Sequence, residues 1–322
     1  MDLLLFSFNA ISPLILIVAL GYILQRVGII DDHFVNKANI LCFKVAFPVQ
    51  LFKNIYEIDF QQDFNPALLG FAITMVFAVV FATLLLAPRF IHSRAQRGAF
   101  IQAVFRGNFL LLGLALANNL FGVEGTAPAS MLLPVVIPLY NLIAVVLLTY
   151  YAAPALEQSS LEPPRISIRQ LGLELVKNPL LDASLLAMAL SLAQVPLPPF
   201  VRTTATDIGK LATPLALLLL GGQFKFQSLE GKLRLALAAT ALRIVLLPLL
   251  ITSLAVLAGF RGPELGALFV LFSSPTAITS FIMAKNMASD AELTGQIVVL
   301  TTMGSGITLF IGVLLLKSFQ LI

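Results

Sequence analysis

Long apolar segments alternate with short polar connectors along the whole chain. A helix needs roughly 20 mostly apolar residues to cross a lipid bilayer. The first segment has no basic residues ahead of it and continues to Leu24, so we expect a membrane span there and not a removable signal peptide. Hydropathy and the placement of proline and glycine predict ten spans, at residues 8–25, 38–55, 66–88, 99–121, 128–151, 179–195, 205–223, 233–258, 264–287 and 293–317.

The second half of the sequence aligns on the first at a constant offset of 166 residues. Pro13 and Pro48 both align with prolines, and 10 of 40 ungapped positions from residue 13 to residue 52 are identical. We therefore predict a first five-helix repeat at 1–151, a cytoplasmic linker at 152–177 and a second repeat at 178–322. Because five is odd, the second repeat must enter the membrane from the opposite face, as in many secondary transporters.

The distribution of basic residues predicts the orientation. Ten Lys and Arg residues lie in the connectors after spans 1, 3, 5 and 7, and four lie on the opposite face. Since basic loops stay in the cytoplasm, we expect both termini outside a bacterial inner (cell) membrane.

Composition agrees with a lipid environment and limits the chemistry. The chain is 59% hydrophobic and 11% charged, far from the roughly 25% charged residues of soluble domains. The small basic excess is scattered, which does not fit nucleic-acid binding. His33 and His92 lie in connectors and Cys42 is the single cysteine, so we expect no metal centre, no cofactor and no enzymatic activity.

Spans 4 and 9 contain residues that interrupt helices at similar positions of the two halves. Pro275 removes a backbone donor and clashes with the preceding turn, and Gly107 weakens a helix. We predict that both helices are broken and cross at their centres, with two half-helix N-termini that favour an anion. The alternative is a pair of ordinary kinks.

Several short motifs in this order resemble the auxin efflux carrier family of permeases, whose bacterial members are described as organic-acid carriers. They are Leu-Gly-Tyr-Ile-Leu at 20–24, Gly-Ile-Ile-Asp at 28–31, Phe-Pro at 47–48, the segment from Gly107 to Gly113, and Ser-Pro-Thr-Ala at 274–277. The resemblance implies two inverted five-helix repeats, similar also to sodium/bile acid symporters. It further implies a scaffold of spans 1, 2, 6 and 7, a mobile transport domain of the other six, and carboxylate substrates such as malate, malonate or auxin-like acids.

Ionisable residues inside spans are expensive unless they are paired or functional. Arg106 is well placed for a substrate carboxylate, and Lys44 precedes a proline in span 2. The alternative for both is that the side chain extends to the membrane surface. Arg243 and Asp182 either pair or act separately.

Neutral polar residues complete the candidate substrate site, because amides and hydroxyls donate hydrogen bonds to carboxylates. Asn108 in span 4 is the first of these. The others are Ser274, Pro275, Thr276 and Thr279 at the break in span 9, and Asn9, Asn141 and Thr302 in spans 1, 5 and 10.

The sequence therefore predicts a secondary active or facilitative transporter of small organic anions that works by alternating access, and a homodimer is possible. The coupling ion, a proton or sodium, stays open. One alternative is a sodium-coupled carrier of the bile acid symporter type, and another is a receptor or channel.

Overall fold

The computed structural model describes residues 16–57, 65–109, 127–152, 177–223 and 229–322, together with Pro13, Ala117, Leu120 and Phe121. Regular secondary structure in this part of the chain is helical apart from a single antiparallel bridge between Gly107 and Thr276. The class is therefore all-α.

The described helices are numbered here in chain order. They are α1 (Leu16–Arg26), α2 (32–56), α3 (Pro66–Phe90), α4 (Arg94–Phe105), α5 (Ala127–Tyr151), α6 (Pro179–Leu192), α7 (Pro199–Gln223), α8 (229–257), α9 (Gly262–Ser273), α10 (Ile278–Asn286) and α11 (Ala291–Ser318).

Four of these helices are long and apolar enough to cross a membrane: α3, α5, α8 from Lys232 onward, and α11. The shorter helices α1, α6 and α9 are also apolar. The chain is thus a multi-pass membrane protein. The count of ten spans and their inverted arrangement stay predictions, although α9 begins 168 residues after α4.

Polar caps set the helix starts more than hydropathy does. The Asp31 carboxylate accepts a hydrogen bond from the backbone N–H of Phe34 at 2.7 Å, so α2 begins at Asp32, six residues before the predicted span. Asn65 and Asn178 cap α3 and α6, each followed by a proline at the first helical position. Helix α7 likewise begins at Pro199, ahead of the span predicted from 205.

Helices α2 and α8 each contain one wide π-turn shortly before a proline. The turns are Cys42–Ala46 before Pro48 and Leu242–Leu246 before Pro248. A proline lacks the N–H for an α-helical bond and its ring presses on the preceding turn, so widening that turn accommodates it. The π-turn of α8 contains Arg243, a fully buried residue.

Packing divides the helices into two groups. One group contains α1, α2, α6 and α7, and the other contains α3–α5 and α8–α11. Helix α2 packs mainly against α6 and α7, while α8 packs against α9 and α11, and α4 packs against α3 and α5. Helices α1 and α7 approach closely because Gly21 and Gly221 leave room for the opposing backbone. The groups meet where α5 contacts α6 and where α7 contacts α10.

Candidate functional site

The centre of the molecule holds two short non-helical stretches, residues 106–108 and 274–277, which we call the paired break. Helix α4 ends at Phe105, and α9 ends at Ser273 before α10 starts at Ile278. The Asn108 N–H donates to the Pro275 carbonyl at 2.7 Å, and the Ala277 N–H donates to the Arg106 carbonyl at 3.0 Å. Both stretches lie where the sequence predicts helix interruptions, and they run antiparallel.

Breaking a helix inside a membrane leaves backbone carbonyls that need donors. Arg243, which is fully buried, supplies most of them. Its Nη1 donates to the carbonyls of Val104 and Phe105, each at 3.2 Å. Its Nη2 donates to the Leu271 carbonyl at 3.1 Å and its Nε donates to the Ser274 carbonyl at 2.8 Å. One guanidinium thus joins the C-terminal ends of α4 and α9.

Gly107 is needed for this arrangement. A Cβ atom at this position would overlap the Arg243 guanidinium and lie 3.2 Å from the Leu271 carbonyl oxygen. The requirement is one of space, since any side chain would displace the arginine.

The possible pairing of Arg243 with Asp182 is wrong. Asp182 is exposed on α6, whereas Arg243 is buried among carbonyls. A sequence indicates which charged side chains could pair, so it favours a carboxylate partner. The hydrogen-bond acceptors of Arg243 are instead backbone carbonyls, which every residue carries. The sequence signal for this role is an arginine inside an apolar span, five residues before Pro248.

The hydroxyls of Ser274 and Thr276 at the break in span 9 form hydrogen bonds within the protein. The Thr276 Oγ1 donates to the Ala103 carbonyl at 2.8 Å, and the Thr276 N–H donates to the Thr301 Oγ1 at 3.1 Å. The Ser274 Oγ donates to the Val270 carbonyl at 2.6 Å. These predicted site residues hold the paired break together, and Thr301 of α11 joins them.

Arg106 begins a buried polar chain that leads from α4 to α6. Its guanidinium donates to the Asn141 Oδ1 on α5 and to the Met283 sulfur on α10. Asn141 is fully buried and donates through Nδ2 to the Ser184 Oγ at 3.2 Å. Arg106 and Asn141, which the sequence predicts separately as site residues, therefore contact each other. No carboxylate contacts Arg106 within the part of the chain that the structure describes.

A small cavity of about 50 Å³, lined by both polar and apolar residues, lies beside the paired break, between helices of the two groups. Arg106, Asn108 and Thr279 line it, with Tyr140 of α5 and the hydrogen-bonded pair of Gln50 and Thr213 from α2 and α7. Among the described residues, no hydrogen bond involves the side chain of Asn108 or Thr279. The first residues of α10, including Ile278, also line the cavity. They bring the positive end of that helix dipole to it.

Two of the predicted residues lie outside the cavity wall. Lys44 is exposed in the π-turn of α2 and does not line the cavity. The Thr302 hydroxyl donates to the Val298 carbonyl within its own helix at 2.6 Å. Asn9 lies outside the described residues. Within those residues there is also no cluster of His, Cys, Asp and Glu side chains able to hold a metal ion.

An all-α membrane protein with broken helices beside a cavity partly lined by polar residues has the architecture of a membrane transporter. Comparison with known proteins agrees. The family model described as membrane transport protein matches residues 6–313, and the chain belongs to this family, the one that its motifs resemble. The chain is also similar to an uncharacterized transporter of Methanothermobacter thermautotrophicus, with 24% identity over 308 residues, which cover 94% of this chain and 96% of that relative.

Proposed function

We propose that this transporter carries small organic anions, with a substrate carboxylate bound in the cavity beside the paired break. The observation that carries the proposal is Arg106, a buried cation on the cavity wall without a carboxylate partner among the described residues. A buried charge is costly unless it is compensated. A substrate carboxylate would compensate it.

The charge balance around the paired break supports an anionic substrate. The C-terminal ends of α4 and α9 each carry a partial negative charge of roughly half a unit, and together they offset the positive charge of Arg243. Arg106 has no such compensation from a helix end, because its guanidinium contacts a neutral amide and a thioether. Its positive charge therefore remains to select the ligand.

The ligand contacts follow from the cavity wall. Asn108 offers an amide N–H and Thr279 a hydroxyl, while the N-terminal residues of α10 line the same cavity. These donors around one arginine suit a carboxylate group. A neutral or cationic ligand would leave Arg106 uncompensated.

Transport requires the site to open alternately to the two sides. A cavity of about 50 Å³ holds roughly one or two water molecules or a single small polar group. A complete substrate therefore needs the helix groups to separate. We infer that α3–α5 and α8–α11 move against α1, α2, α6 and α7, as in other transporters built from repeats. The excess of basic residues in the connectors after spans 1, 3, 5 and 7 supports an orientation in the cell membrane with both termini outside.

The experiment that tests the proposal is thermal unfolding of the detergent-purified protein with a panel of mono- and dicarboxylates. Each acid is paired with its uncharged carboxamide, and each pair is measured with and without sodium. A ligand of the folded state raises the unfolding temperature by mass action. We expect at least one acid, and not its amide, to do so. Stabilisation by amides or amines alone would refute an anionic substrate, and a requirement for sodium would favour the sodium-coupled alternative.

A further inference from the structure

We propose that Arg243 is the built-in cation of the paired break, where it takes the place of an inorganic cation and positions Asn108 and Arg106 for the substrate. The positioning part of this inference rests on the proposed function, whereas the cation part does not.

The carbonyl groups around Arg243 form a cation-binding arrangement. Four backbone oxygens, from Val104, Phe105, Leu271 and Ser274, surround one buried guanidinium and lie 2.8 to 3.2 Å from its three nitrogens. Two helix C-termini supply them, and such ends attract cations in broken membrane helices. A side chain that is 0% exposed already fills the position, so a metal ion is not needed there.

Arg243 also connects three separate elements. It belongs to the π-turn of α8, and its hydrogen bonds reach the ends of α4 and α9. Phe105 directly precedes the stretch that carries Arg106 and Asn108, and Ser274 begins the stretch that carries Thr276. We infer that α8 and the paired break move as one body and that Arg243 acts on the substrate through the residues it holds. It is a positioning residue, because it does not line the cavity.

The test is chemical rescue with guanidinium ion. Arg243→Ala removes the side chain and leaves the four carbonyls without a donor. Guanidinium is then added throughout expression and purification, far below the concentrations that unfold proteins. We expect the variant to unfold at a clearly lower temperature than the wild type and guanidinium to restore at least half of the loss. Urea, which is similar in shape but uncharged, should restore none.

The chain offers a matched control in Arg261. Its Nη1 donates to the carbonyls of Val256 and Phe260 at the C-terminal end of α8, at 2.8 and 2.7 Å, but the residue is exposed. We expect Arg261→Ala to change the unfolding temperature little and to show no rescue. An equal guanidinium response in both variants would contradict the inference, since it would reflect a general effect of the ion.

Two further variants keep the test decisive if Arg243→Ala accumulates poorly. Arg243→Lys keeps the charge and Arg243→Met keeps only the bulk, so we expect the lysine variant to unfold at the higher temperature. Equal unfolding temperatures, or failure of both variants to fold even with guanidinium, would overturn the inference.

Substrate binding separates this inference from the proposed function. If the wild type binds no carboxylate, the proposed function fails while the stability comparison still decides the role of Arg243. If it binds one, we expect guanidinium to recover carboxylate binding by Arg243→Ala several-fold and sodium to be dispensable for wild-type binding. Stabilisation of the ligand-free wild type by sodium would contradict an internal cation.

Discussion

At the scale of single residues, Asn108 is the position where the predicted ligand contact and the observed cavity coincide. Its side-chain amide lines the cavity without a partner among the described residues. A hydrogen bond to a charged group contributes about 1.5–3 kcal/mol, so Asn108→Ala should weaken carboxylate binding roughly tenfold or more. Equilibrium binding of a radiolabelled acid to the purified protein measures this.

Asn286 provides the control for that substitution. It is exposed at the end of α10, where its Nδ2 donates to the Ile282 carbonyl at 2.8 Å. Asn286→Ala should leave carboxylate affinity unchanged. If Asn108→Ala also binds like the wild type, Asn108 does not contact the substrate.

Arg106 sets the charge preference in the proposed function. Arg106→Gln removes the positive charge but keeps a donor that can bond to Asn141. We expect affinity for carboxylates to fall while affinity for their carboxamides stays the same or rises. Direct binding of each acid and amide pair checks this, and an equal loss for both ligands would indicate structural damage.

Gly107 and Arg243 should be coupled energetically. A methyl group at Gly107 overlaps the guanidinium, and overpacking of this kind costs about 1–3 kcal/mol. Gly107→Ala should therefore lower the unfolding temperature, and the penalty should shrink when Arg243→Ala is also present. Gly70 on α3 has open space around it, so Gly70→Ala serves as the neutral control. Fully additive effects of the two changes would show that these residues are independent.

The site could be predicted in part from residue types. Asn108, Arg106 and Thr279 line the cavity, and the sequence indicated them because polar residues beside helix breakers are rare in apolar spans. The sequence identifies Arg243 as an ionisable residue inside a span. It does not predict that Arg243 joins two helix ends, because the acceptors are backbone carbonyls. The occupied hydroxyls of Ser274 and Thr276 could not be foreseen, because the sequence does not tell whether a hydroxyl faces a ligand or a helix end.

At the scale of elements, the π-turn of α8 places Arg243 at the paired break. Pro248 cannot donate to the turn before it, which keeps that turn wide. With Pro248→Ala the turn is free to close into a regular α-helix, and the Arg243 side chain would rotate away from its carbonyls. We expect a lower unfolding temperature even though alanine is a better helix former.

Pro214 is the matched control for that experiment. It lies inside α7, whose helix remains regular around it, and Pro214→Ala should not lower stability. An unchanged unfolding temperature for Pro248→Ala would show that the wide turn does not depend on the proline. This contrast also shows that aligned residues of the two halves can differ in local structure. Pro48 and Pro214 align in sequence, but of these two prolines only Pro48 follows a π-turn. Neighbouring helices decide how each proline is accommodated.

At the scale of the whole molecule, an all-helical membrane fold could be predicted because mean hydropathy and segment length follow directly from the bilayer. Helix ends were less predictable, since the caps at Asp31 and Asn178 lie in polar residues outside the apolar segments. The inverted repeat is the large-scale prediction that most needs an experiment. It places the connector after span 3 in the cytoplasm and the corresponding connector after span 8 outside.

Cysteine labelling in membrane vesicles tests this orientation. Arg89 and Arg261 lie in or beside the two corresponding connectors and are both exposed, and Cys42 is fully buried, so it should give little background. A membrane-impermeant maleimide should label Arg261→Cys from the outside of intact cells. It should label Arg89→Cys in inside-out vesicles, as the excess of basic residues predicts. Lys317→Cys, exposed near the C-terminal end of α11, should behave like Arg261→Cys. Labelling of Arg89→Cys and Arg261→Cys from the same side would contradict an inverted repeat, because two halves of five spans each cannot then enter the membrane from opposite faces.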